Sequence, residues 1–158
     1  MDGLEKMMKK VFNTDFENSL RIIILLDIFN LPQTLEKLYM VDFVVQYANV
    51  FGMDEEGLNG KNSYCFSEFL SKRQLIKEAV ILLVMKGMVY PLKVDNGIGY
   101  VITSVGEEYC NALESEYAME YRYIARKVID KLENVDERTL MSYIYDLSIE
   151  VLRSDGNE

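Results

Sequence analysis

Residues Met88 to Val105 read MVYPLKVDNGIGYVITSV. Two runs rich in Val, Tyr and Ile, Met88 to Val94 and Gly99 to Val105, flank Asp95-Asn96-Gly97. An Asn-Gly pair accepts the positive φ angles of a primed turn, so this stretch predicts a two-stranded hairpin. Upstream, the period changes. From a start between Ser67 and Ser71 to Lys86, the residues Leu75, Ile76, Ala79, Val80, Leu82 and Leu83 recur at helical spacing, opposite Arg73, Gln74, Lys77 and Glu78. Gly87 follows as a helix C-cap. Helix, glycine, hairpin is the order of a winged helix-turn-helix.

Further upstream, Asn18 to Asn30 opens with two cap-forming residues, Asn18 and Ser19, and then runs almost wholly apolar, which predicts a short buried helix ended by Asn30-Leu31-Pro32. A second helix is expected over Thr34 to Phe51, with Gly52 just beyond it. Its apolar side chains cover nearly the whole circumference, so it is buried on more than one side. Two readings of that helix stay open: a central core element wrapped by C-terminal helices, or a partner-binding element presenting Met40, Val44 and Tyr47. Met53 to Phe66 is rich in Gly, Asn and acids and is expected to form an exposed loop.

Downstream of the hairpin, Ser104 stands three residues before Glu107 as a capping box. A long helix over Glu107 to Asn134 and a final one over Glu137 to Leu152, capped by Asp136, complete the prediction. The fold class is α+β, mainly helical, with a winged helix-turn-helix core, a two-stranded wing and extra C-terminal helices. Residues 1–17 form an N-terminal arm or short helix, 18–152 one domain, and 153–158 a disordered tail.

The 158 residues, 49% hydrophobic, suffice for one compact core. With 26 acidic against 17 basic side chains the formal charge is -9, which argues against a free-standing nucleic-acid binder. The chain has no histidine, the commonest general base and zinc ligand. It has two cysteines, Cys65 and Cys110, and no glycine-rich phosphate loop. No cofactor or metal is expected. The longest apolar run, from Ile22, is broken by Asp27 and Pro32, and Met1 to Lys10 lack a secretory stretch, so a cytoplasmic protein without a membrane span is expected.

Three groups of residues are candidates for function. Lys72, Arg73, Lys77 and Lys86, with Lys93 on the wing, are where a DNA-binding helix-turn-helix would meet the duplex. Glu68, Glu78 and Asp95 lie close by in sequence, so a solvated face and a protein or composite protein–DNA surface, to which Arg73 and Lys77 would belong, stay open beside it. Asp27 and Asp42 sit among apolar residues and need partners, for which Arg21, Lys37 and Arg73 are available; two lone aspartates without a further motif are a weak basis for acid/base chemistry. The tyrosines Tyr109, Tyr117, Tyr121, Tyr123, Tyr143 and Tyr145 alternate with glutamates, which suits core packing or a protein interface, with Tyr117 and Tyr121 the interface candidates, better than stacking on bases.

Leu26-Asp27-Ile28-Phe29-Asn30-Leu31-Pro32, then Leu38 and Asp42, Glu68 and Arg73, Leu83, Gly87-Met88-Val89, Gly97-Ile98-Gly99-Tyr100, and finally Leu113, Ser115 and Tyr117-Ala118 resemble the middle component of ABC three-component, Lamassu-type anti-phage defence systems. The likeness covers roughly Ser19 to Val128 and contains no catalytic signature. It implies a small winged-helix subunit beside an SMC- or Rad50-like ATPase and a nuclease-like effector, acting as a non-catalytic adaptor between them, with DNA met at most indirectly. The alternative from another class is a winged-helix transcriptional regulator that binds operator DNA.

Overall fold

The computed structural model describes the backbone of residues 3–53 and 65–156, with side chains over 15–53, 67–150 and at Arg153. Among these residues the chain is mainly helical with one small antiparallel sheet, the α+β class expected. Helix α1 spans Gly3–Phe29, strand β1 Gln33–Thr34, α2 Leu35–Gln46 and α3 Cys65–Met85; β2, Val89–Val94, and β3, Gly97–Ile102, follow; α4 spans Ser104–Asn111, α5 Glu116–Leu132 and α6 Glu137–Gly156.

The first helix is longer than expected at its N-terminal end. Nothing between Leu4 and Phe29 is a glycine or proline, so the helix runs straight through Asn18 and Ser19, which are buried in its middle rather than capping its start. The Asn18 side-chain oxygen accepts from the Arg21 guanidinium one turn on. Ile22 to Leu26 are all fully buried. Asn30 ends the helix in the left-handed region, φ 52, with its N–H donated to the Leu26 carbonyl at 3.0 Å.

Thr34 caps α2 by accepting from the Lys37 amide at 3.2 Å. The helix ends at Gln46, earlier than expected, and turns carry the chain to Gly52. There Gly52, φ 67, closes the turn rather than capping the helix, whose C-cap is Tyr47: the Gly52 N–H reaches the Asn49 carbonyl at 3.3 Å and the Met53 N–H reaches the Ala48 carbonyl at 2.9 Å. Gly87, φ 74, repeats the pattern after α3, with Gly87 N–H to Val84 and Met88 N–H to Leu83, both at 3.0 Å. Left-handed backbone at both positions favours glycine. Lys37 to Gln46 are all buried because α1, α3, α5 and α6 each pack against α2. The core-helix reading therefore holds, and Met40, Val44 and Tyr47, considered for a partner surface, are interior at 1% exposure or less. Each such apolar burial contributes about 1.5–3 kcal/mol.

The hairpin forms where expected, with Val89 opposite Ile102 and Val94 opposite Gly97. Its turn is not a primed one, because Asp95 and Asn96 both keep negative φ and Gly97 alone is positive, φ 129. The sheet has three strands rather than two. Gln33 and Thr34 pair with Tyr100 and Gly99, giving the order β1-β3-β2. Two residues carry no alternation to read, and Pro32 only favours an extended neighbour.

The long helix expected after the hairpin is two. Thr103, not Ser104, is the first cap and accepts from the Gly106 amide at 3.1 Å. Gly106 holds the third helical position, so no capping box with Glu107 forms. Ser115 then starts α5 by accepting from the Ala118 amide at 3.2 Å. Asp136 caps α6 through the Thr139 amide at 2.7 Å. With no breaker before Gly156, α6 continues through most of the tail expected to be disordered. The expected loop over Met53 to Phe66 falls mainly on residues outside the described ones, and α3 starts at Cys65, earlier than expected. No helix is long and apolar enough to cross a membrane among the described residues.

Candidate functional site

Apolar all-round helices leave few positions for charge, and the chain brings those few together. Asp42 of α2, 1% exposed, accepts from Arg21 Nε of α1 at 2.9 Å, from the Tyr121 hydroxyl of α5 at 2.7 Å and from Gln46 Nε2 one turn on at 3.0 Å. Arg21, 4% exposed, also donates to the Tyr117 hydroxyl at 3.3 Å. Gln46 in turn accepts from Lys72 Nζ of α3 at 3.1 Å. One buried network thus joins α1, α2, α3 and α5.

The electrostatics follow from burial. Desolvation opposes the Arg21 charge, but Asp42 and the two tyrosine oxygens outweigh it and the guanidinium is held protonated more firmly than usual. Burial pushes the Tyr121 hydroxyl well above its ordinary value, and Asp42 adds to the shift. The Tyr117 hydroxyl is raised for the same first reason, with Arg21 opposing. Burial lowers Lys72. Asp42 has donors on both oxygens and no open side toward a substrate. This is an ion pair that organises a core.

A second polar group sits where the sheet meets the last helices. Lys37, 6% exposed, donates from Nζ to the carbonyls of Leu132, at 2.8 Å, at the end of α5 and of Val135 in the turn that follows; burial lowers its pKa. Glu137 accepts from the Thr34 hydroxyl and from Asn96 Nδ2 at 3.3 Å, tying the hairpin turn to the start of α6.

Of the residues singled out in the sequence, Asp42 found Arg21, while Lys37 and Arg73 serve elsewhere. Asp27, half-buried, stands apart from Asp42 and beside the Cys110 thiol of α4, which burial raises. Tyr121, considered for a partner surface, is fully buried, and Tyr117 is half-buried with its hydroxyl turned inward to Arg21. Lys72, considered for DNA, is drawn into the ionic network. Arg73 is on the surface but paired with Glu36 of α2, Nε to Oε1 2.7 Å. Lys77, Lys86 and Lys93 are exposed, as is Tyr123, whose ring lies 4.4 Å from Lys127 Nζ. Reasoning from the sequence missed Gln46, and missed Tyr121 as a donor to Asp42. Gln46 lies four residues after Asp42, one helical turn, which is a signal that could have found it; Tyr121 is far from Asp42 in sequence, and no local spacing identifies so distant a bond.

Fold and site define a class: a small, mainly helical α+β subunit organised around a buried ion pair, with exposed cations on α3, the hairpin, α5 and α6. Within that class the chain belongs to the family described as ABC-three component (ABC-3C) system Middle Component 2, whose model matches residues 11–154. It is therefore a component of a multi-subunit defence system, and the family implies partner subunits. No curated protein and no solved structure matches the chain.

Proposed function

We propose that the protein is a non-catalytic, cytoplasmic adaptor of a Lamassu-type system, bridging an SMC- or Rad50-like ATPase and a nuclease-like effector. The observation that carries this reading is that Asp42, Tyr117 and Tyr121, the buried groups closest in character to an acid/base site, all engage Arg21 or one another and so hold helices together. A middle component built this way acts through its surfaces. Engagement of foreign DNA by the ATPase would shift the assembly and release or activate the effector, which requires the adaptor to contact its partners differently in the two states. The strand between the first two helices and the order β1-β3-β2 support a winged-helix reading of the core.

The test is affinity purification of the tagged chain from its own host after nuclease treatment at moderate salt. Recovery of an SMC-like ATPase and an effector is expected. Unchanged defence and effector activation in cells lacking the chain would overturn the proposal. A second reading, an operator-binding regulator, is favoured by one observation: Lys77 and Lys93 are exposed on the helix and hairpin that would meet DNA. It predicts a salt-sensitive shift of a promoter fragment that is abolished when Arg73 and Lys77 are both changed to Glu.

A further inference from the structure

Helices α1 and α3 pack against each other and leave a cavity of about 170 Å³ between them, lined by Asp15 of α1 and by Leu75, Glu78, Ala79 and Leu82 of α3. The four α3 residues recur three and four apart, so they form one strip of the helix. Ala79 is buried, Leu75 and Leu82 are half-buried, and Asp15 and Glu78 are exposed. The cavity therefore has an apolar floor and two carboxylates at its mouth.

Neither carboxylate has an ion-pair partner among the described residues, and Glu78 accepts from Gln74 Nε2 at 3.4 Å. Lys77 lies about 100° round the helix from Glu78, and Lys86 about 12 Å along it. Even with Lys86 counted, the rim stays net negative. An apolar cavity of roughly 150 Å³ accepts a molecule as large as benzene. A side chain that suits both floor and mouth is apolar along its stem and cationic at its end, which is the build of arginine. The planar guanidinium, with donors arranged as a fork, can serve two carboxylates at once.

We propose that this cavity receives an arginine side chain from another component of the same system, with the stem against Leu75, Ala79 and Leu82 and the guanidinium at Asp15 and Glu78. The inference rests on the adaptor reading and names one anchor point of its surface. Duplex DNA would bring phosphates to two carboxylates and is repelled. A metal ion asks for more donors than two carboxylates, and no group of three or more candidate ligands occurs among the described residues. A second copy is held off by like charge, since each chain carries a formal -9.

The test uses the full chain and the other two components of its system, each purified separately, with affinity measured for the wild type and two variants. Asp15→Asn/Glu78→Gln keeps the shape of the mouth and removes its charge, whereas Ala79→Leu keeps the charge and fills the cavity. Circular dichroism checks both folds; if Ala79→Leu fails that check, Ala79→Val replaces it. Each variant is expected to bind one component roughly tenfold more weakly or worse. A photo-crosslinker at position 82 should capture a segment carrying an arginine, and Glu78→Arg should regain binding to a component in which that arginine is changed to Glu. If the wild type binds a component and both variants bind it equally well, this proposal falls while the adaptor reading stands. Loss in only one of the two overturns it as well, because stem and guanidinium must both be seated. Self-association of the wild type that both variants abolish would give the cavity to a second copy and overturn the choice of occupant. If the wild type binds neither component, the adaptor reading falls with the proposal.

Discussion

Asp42 accepts from three different side chains and has almost no contact with water. Removing it strands the Arg21 charge, so Asp42→Ala is expected to cost about 3–5 kcal/mol in urea unfolding. The Arg21→Met/Asp42→Leu pair should cost clearly less than the two single changes summed, since no charge is then left unpaired. Additive losses would contradict the account. Tyr121 gives a pH signature. Its hydroxyl is raised above the ordinary value of 10.0 by burial and by Asp42, so the folded chain keeps a proton that the unfolded chain releases. The stability it contributes is complete below about pH 10 and is lost as pH rises beyond it. Tyr121→Phe should flatten that alkaline loss and, by leaving Asp42 one donor short, cost about 1–3 kcal/mol at neutral pH. An unchanged alkaline slope would count against the assignment. At this scale the sequence was half legible. A lone aspartate in an apolar helix announces a partner, and Arg21 was among the candidates. A tyrosine reads the same whether its ring lies in the core or on a partner, so Tyr117 and Tyr121 left both readings open, and α5 closing over α2 decides for the core.

Among the elements, the hairpin is tied down at both ends. At its base Gly106 of α4 packs so closely that an added Cβ would collide with the Met88 carbonyl and the Ile102 side chain. Gly106→Ala should therefore destabilise by about 1–3 kcal/mol through overpacking, and show it as faster amide exchange in β2 and β3. At its tip Asn96 is held by Glu137. Glu137→Ala should loosen the turn and the start of α6 while leaving α1 protected; equal protection in both proteins would show that the link carries no weight. The hairpin was readable because Asn-Gly and a change of period are local signals. Strand β1 was not, because two residues make no pattern and their pairing with Tyr100 and Gly99 is long-range. The division of α4 from α5 was missed because Leu113-Glu114-Ser115 holds neither glycine nor proline, although Ser115 before Glu116 is a helix start in its own right.

For the whole molecule, the interior and the surface divide the labour. The buried network and the apolar girth of α2 set the shape, and the exposed cations are spread over α3, the hairpin, α5 and α6 of a chain that is acidic as a whole. The fold class and the likeness to a middle component were legible because order and spacing of elements survive in a single sequence. The surface residues were not, since a helix that is apolar all round suggests a partner and here is covered by its own chain. The central claim is that this chain bridges two others. It is tested most directly by mixing the purified ATPase and effector components with and without it and measuring the masses of the assemblies. A three-component complex that separates into free ATPase and free effector when the chain is omitted is the predicted result. An ATPase–effector complex of undiminished affinity in its absence would contradict it.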